Sequence, residues 1–193
     1  MIGVVKMSRF TFKIGLPFGV GEIGGEWEPD EAERKAAWDM YVELITRVTV
    51  VELGPDEGLL REALTSYYSL FATTRQIMKD GGPDVARPKN DGTVSFGFLA
   101  IGVLNKALRP LLATWHPRLE DHETARPVGV SRLDWERRWD RHDDLRAAIA
   151  EVRETLEAYA GLLGDVCGAR ALLDHAVSSA SPEPPDSATG AAG

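Results

Sequence analysis

An arginine five residues ahead of a histidine, Arg137 and His142, is a spacing that phosphodiester chemistry can use. An imidazole passes a proton near neutral pH, and a guanidinium steadies the charge that builds on a phosphate oxygen. If one helix runs through 131–166, Arg138, four residues before His142, shares its face and Arg137 is turned away. The same phase puts His142 three residues before Leu145 and seven before Ile149, on the apolar side. The plainer reading is a seam histidine beside a solvated surface of mixed charge that includes Asp134, Glu136, Asp140, Asp143 and Asp144.

A second set lies on the most apolar stretch, where Asn105, Arg109 and His116 recur at intervals of four and seven. Inside a core such groups need partners, and Asp39, Glu43 or Glu62 on neighbouring helices could supply a carboxylate. The line is then a structural network that fixes helix register or, alternatively, a small-anion pocket at Arg109. His116 with Glu120, Asp121 and His122 offers imidazole and carboxylate, but the spacing fits no metal motif and Pro117 places the group in a loop. No metal and no cofactor are expected.

Other signals are weaker. Gly19, Gly21 and Gly24 match GxGxxG after a plausible strand, yet Glu22, Glu26 and Glu28 put negative charge where a phosphate would sit. Pro29 delays the helix and no βαβ pattern follows, so these glycines read as a hairpin turn. Cys167 ends an apolar seam without the electropositive setting of a nucleophile and reads as a packing residue. Thr65, Ser66, Thr73 and Thr74 lie on a helix with no strand-to-helix elbow.

The elements that must position these residues are mainly helical. Alternation in 9–14 and the glycines that follow predict a two-stranded hairpin reaching Trp27. Four helices follow over 29–53, 56–80, 94–115 and 131–166, giving a four-helix bundle with an N-terminal β-hairpin appendage. The first two open on Pro-Asp-Glu signals, at Pro29 and Pro55, with proline at the first helical position. The third is apolar nearly all round, which makes it the central helix, and Pro110 predicts a kink or break near Leu108. The fourth carries the strongest pattern, Leu145, Ile149, Val152, Leu156, Tyr159, Leu163 and Val166, a heptad-like seam suited to self-association. A short helix is expected at 169–177 and a disordered tail beyond it, dividing the chain into 1–28, 29–178 and 179–193.

Composition narrows the functional classes. The chain has 193 residues, a net charge of -8 and one cysteine, so an intrachain disulfide is excluded and a general phosphate-binding surface is disfavoured. The opening residues lack the apolar run of a secretion signal, and Asn105, Lys106, Arg109 and Pro110 interrupt the one stretch long enough to suggest a membrane span. A cytoplasmic protein without a membrane span is expected.

Three segments carry a family resemblance: Ala37-Trp38-Asp-Met-Tyr41-Val-Glu-Leu-Ile-Thr-Arg47, Gly58-Leu-Leu-Arg-Glu-Ala-Leu-Thr65 and Leu108-Arg-Pro-Leu-Leu-Ala-Thr-Trp-His-Pro117. They resemble a poorly characterised family of small helical bacterial proteins that look like accessories of conflict or antiviral-defence gene clusters. The resemblance covers most of 10–168; it implies a partner-dependent role and assigns no catalytic residue. The spacing of Arg137 and His142 is similar to that of the HEPN class of helical ribonucleases, which implies the rival expectation of an RNA-directed or nucleotide-directed enzyme using His142 with Arg137 or Arg138. The leading expectation is a non-catalytic helical scaffold or interaction module, working with a protein partner or as a homo-oligomer.

Overall fold

The computed structural model describes residues 8–47, 58–89 and 92–178. The fold is mainly helical and opens on an antiparallel hairpin, β1 (Phe10–Leu16) and β2 (Gly21–Trp27), in register from Phe10 opposite Trp27 to Leu16 opposite Gly21. Alternation along both strands sends Phe12, Ile14, Ile23 and Trp27 to one face, and these four join the same core as the helices. The glycine motif is the turn: Phe18 and Gly19 both take positive φ, 60° and 66°, and Val20 N–H donates back to Pro17 O, the mirror-image turn that suits a twisted hairpin. Helix α6 (His142–Cys167) holds the hairpin from below, since Thr155 Oγ1 donates to Gly15 O at 2.8 Å and Phe18 N–H donates to Glu151 Oε2 at 2.8 Å.

Helix α1 (Glu31–Ile45) starts two residues later than its proline suggests, because Asp30 is the cap. Asp30 accepts from Glu33 N at 2.9 Å while Glu33 Oε2 accepts from Asp30 N at 3.0 Å, a reciprocal box that satisfies two end donors. The helix ends at Ile45 rather than 53; Thr46 turns its hydroxyl onto Val42 O. Residues 48–57, with the second helix's expected start signal, lie outside the described residues. Helix α2 (Leu60–Gly81) begins at 60, not 56, because Gly58 stands at φ 67° and Leu59 is extended.

The third expected helix is longer and less central than its composition suggests. Val94 bridges to Trp27, Ser95 caps, and helix then runs through α3 (Phe96–Val103), a π-turn at Leu104–Leu108 and α4 (Arg109–Thr124). Pro110 does not break it: in the widened turn Arg109 N–H reaches Leu104 O, five residues back, and the expanded ring makes room where a proline would clash with an ordinary α-turn. Pro117 sits inside α4 as well. By length and composition Phe96–Thr124 could cross a membrane, a test that core helices also pass; half of its most apolar window is buried.

The fourth expected helix is two. Short α5 (Arg132–Arg137) stops, the chain turns through Arg138 to Arg141, and α6 begins at His142. The turn is made by Trp139, whose ring leaves the helical path to stack on His122 (centroids 5.4 Å apart) and meet Trp115 edge-on (6.1 Å). Every residue of the heptad-like seam from Leu145 to Val166 is buried, and α6 packs against β1, α1, α2, α4 and α7 (Arg170–Ser178), so α6 is the central helix. Gly168, in the left-handed conformation at φ 66°, ends it, and Tyr41 ties the corner to α1, donating to Ala169 O (2.8 Å) and accepting from Leu173 N (2.9 Å). Residues 179–193, where the tail was expected, lie outside the described residues.

Candidate functional site

The polar line of the third helix faces outward. Asn105 and Arg109 are exposed and bond each other, Arg109 Nε to Asn105 Oδ1 at 3.0 Å, with the guanidinium 5.8 Å above the Phe71 ring. No buried arginine therefore demands a carboxylate here; Glu43 pairs with Arg47 and Asp39 with Lys35 instead. His116 is apart from the other two. It is half-buried beside Tyr68, with both ring nitrogens 3.2–3.3 Å from Arg61 Nη1, and Arg61 is held by Glu123 at 2.7 Å. Periodicity placed these three on one side of a helix but could not tell which side the protein covers.

Arg137 is the last residue of α5, Arg138 its cap, and His142 the first residue of α6. The break removes the single-helix phasing on which a shared face depended. The His142 side chain is 15% exposed, with Nδ1 2.9 Å from Asp143 Oδ1. His122 and Trp135 lock one another: His122 Nε2 donates to Trp135 O (2.8 Å), Trp135 Nε1 donates to His122 O (2.7 Å), and the rings stack at 4.7 Å. With Pro117 inside the helix, His116, Glu120, Asp121 and His122 all lie on α4; among the described residues no group of three or more His, Cys, Asp or Glu converges as a metal would require. Burial pushes the Cys167 thiol above its ordinary pKa, the opposite of an activated nucleophile.

Two carboxylates bear the most structure: Glu33, which sequence reasoning passed over, and Glu136, which it placed on a solvated surface and which the structure buries against the start of α2. Glu33, fully buried, accepts from the Trp27 indole (3.2 Å), from Asp30 N and from Phe96 N (3.0 Å), and pairs with Lys89. Its signal was present as Asp30-x-x-Glu33, the spacing of a capping box. Glu136, also buried, accepts from Leu60 N (2.8 Å) and Arg61 N (3.3 Å), capping α2 in place of Leu59, which has no side-chain acceptor. No local pattern announces that contact.

An unfilled surface lies on α3. Phe98, Ile101, Gly102 and Asn105, spaced as one helical stripe, line an open groove of about 420 Å³ whose far wall is Ile23 of the hairpin and whose end carries Lys106. Phe98 is 58% and Ile101 46% exposed, and the groove is mostly apolar. Its floor is low because Gly102 has no side chain; a Cβ there would stand 3.0 Å from Ile23 Cδ1. Lys106 has no partner among the described residues. No protein-family model, no curated protein and no solved structure matches the chain.

Proposed function

We propose that the chain is a non-catalytic helical interaction module, a four-helix bundle of α1, α2, α3 with α4, and α6, whose groove on α3 receives an amphipathic helix from a different protein. The observation that carries this reading is the exposed stripe of Phe98 and Ile101 beside an open apolar groove. A groove of this kind takes large apolar side chains presented at intervals of three and four along a helix. Lys106 at its end favours a partner with a carboxylate one turn beyond those anchors. The α6 seam is spent inside the chain's own core, whereas Phe98 and Ile101 on the α3 face stay exposed and available for association. Lys106 and Arg109, exposed in the middle of the apolar stretch, would be costly in lipid and favour a protein occupant in water. An accessory place in a bacterial multi-protein system, in the cytoplasm, rests on the sequence resemblance and on the single cysteine.

The test is selection of helical peptides from a displayed random library on the full chain, followed by light scattering. Selected peptides should carry apolar residues at i, i+3 or i+4, and i+7 with a following Asp or Glu, and Ile101→Asp should weaken them about ten-fold or more. Failure to enrich any such peptide overturns the proposal. So does a concentration-dependent dimer that Ile101→Asp dissociates, since the occupant would then be a second copy.

A further inference from the structure

At the other end of the long helix the connection from α4 to α5 encloses a second cavity, of about 310 Å³, at the lower end of the range for small-molecule sites. Its lining includes Arg61, Arg126 and Arg132, Glu123 and Glu136, and Trp135 with Leu59. The charges are not equivalent. Glu123 is taken up by Arg61, which reaches it through Nε (2.9 Å) and Nη2 (2.7 Å) and spends Nη1 on His116. Glu136 is taken up by the first amides of α2, so the positive end of that helix is already neutralised and offers nothing further.

Two cations remain. Arg126 is exposed and held in place by one bond from Nη1 to Val130 O within its own loop, which leaves the rest of the guanidinium available. Arg132 is exposed and has no partner among the described residues. The indole of Trp135, three residues after Arg132 and on the same helical face, is fixed by its exchange with His122, which covers one side of the ring. What it gives the cavity is the remainder of a rigid aromatic surface, with Leu59 adding apolar area.

We propose that this pocket binds a phosphomonoester attached to a planar ring, of the nucleoside monophosphate kind. The guanidinium groups of Arg126 and Arg132 take the phosphate, where a forked donor is matched to paired oxygens, and the ring lies against Trp135 and Leu59. The set contains no nucleophile or unengaged base, so the pocket holds its ligand unchanged. This site stands beyond the partner groove and on different residues, so either can fail alone.

Calorimetric titration of the full chain with adenosine, guanosine, cytidine and uridine 5′-monophosphates tests the assignment, with inorganic phosphate and the free nucleosides as separate arms. At least one monophosphate should bind saturably, about ten-fold tighter than phosphate or its own nucleoside alone, and binding should weaken as salt rises. Arg126→Gln and Arg132→Gln, both at exposed positions, should each lose about ten-fold while melting as the parent does; Lys79→Gln, far along α2, should change nothing. No saturable binding of any monophosphate at millimolar concentration overturns the proposal. Phosphate binding as tightly as every nucleotide overturns the ring, and so the ligand class; nucleotide binding indifferent to both arginine changes overturns the site.

Discussion

Glu33 and Lys89, fifty-six residues apart in the chain, meet where β2, α1 and the entry to α3 converge. The carboxylate is fully buried and the ammonium mostly so, and Lys89 also reaches Glu28 O. Glu33 thereby satisfies the Trp27 indole and two backbone amides and has its own charge answered. Removing it leaves several buried donors without acceptors, the situation in which a buried pair matters most.

Glu33→Ala should therefore lower unfolding stability by about 3–5 kcal/mol. Lys89→Ala should cost less, because three N–H donors still face the carboxylate and water can approach from the side that lysine occupied. Urea midpoints of the two variants at equal m-value check the order; a larger loss for Lys89→Ala would contradict it.

Tyr159 is buried and its hydroxyl has no hydrogen-bond partner among the described residues. A buried hydroxyl without a partner loses its hydration and gains nothing in return. Tyr159→Phe keeps the ring and deletes the burden, so it should raise stability by about 1 kcal/mol, read as a higher melting temperature. Tyr67, also buried, donates a long bond of 3.4 Å to Ile149 O, and Tyr67→Phe should be closer to neutral.

The same two phenols set an alkaline limit. Burial pushes both well above the ordinary tyrosine value of about 10. The folded chain keeps protons that the unfolded chain releases, so stability is unaffected below about pH 10 and falls as pH rises beyond it, by about 1.4 kcal/mol per unit for each tyrosine. Chemical denaturation between pH 9 and 12 should show this slope, and the Tyr67→Phe, Tyr159→Phe double variant should flatten it.

Phe18 holds a left-handed conformation that a side chain with a Cβ adopts at a cost, and the residue is 39% exposed, so packing returns little. Phe18→Asn should stabilise the fold by about 1 kcal/mol, since asparagine tolerates that region. Glu151→Ala should cost about 1 kcal/mol by releasing the Phe18 amide from α6. Thermal melts of both variants distinguish the local strain from the tether.

How much of this was legible in the sequence follows from how local each cause is. The α6 seam and the hairpin alternation were readable because period alone decides which side is apolar, and the glycine motif was readable because Glu22 and Glu26 follow its first glycines within a few residues, on what becomes β2. The outward turn of Asn105 and Arg109 was not, since the stripe that includes Phe98 and Ile101 is as apolar as the buried face and only tertiary packing chooses between them. The break before His142 was hidden for a similar reason: Trp139 leaves the helix for Trp115 and His122, partners remote in the chain. The arginine cavity depends on the turn from α4 into α5 and has no signature beyond the spacing of Arg132 and Trp135.

The cap that Glu136 places on α2 also orders events in time. Its carboxylate lies seventy-six residues downstream of the amide it receives at Leu60. On an emerging chain the middle of α2 can coil early, but its first turn must wait, frayed and water-bonded, until α5 has been synthesised and docked. The start of α2 thus depends on α5 being in place, and in the finished protein a loosening of the α4–α5 turn would be felt there as exchange of backbone hydrogen with solvent.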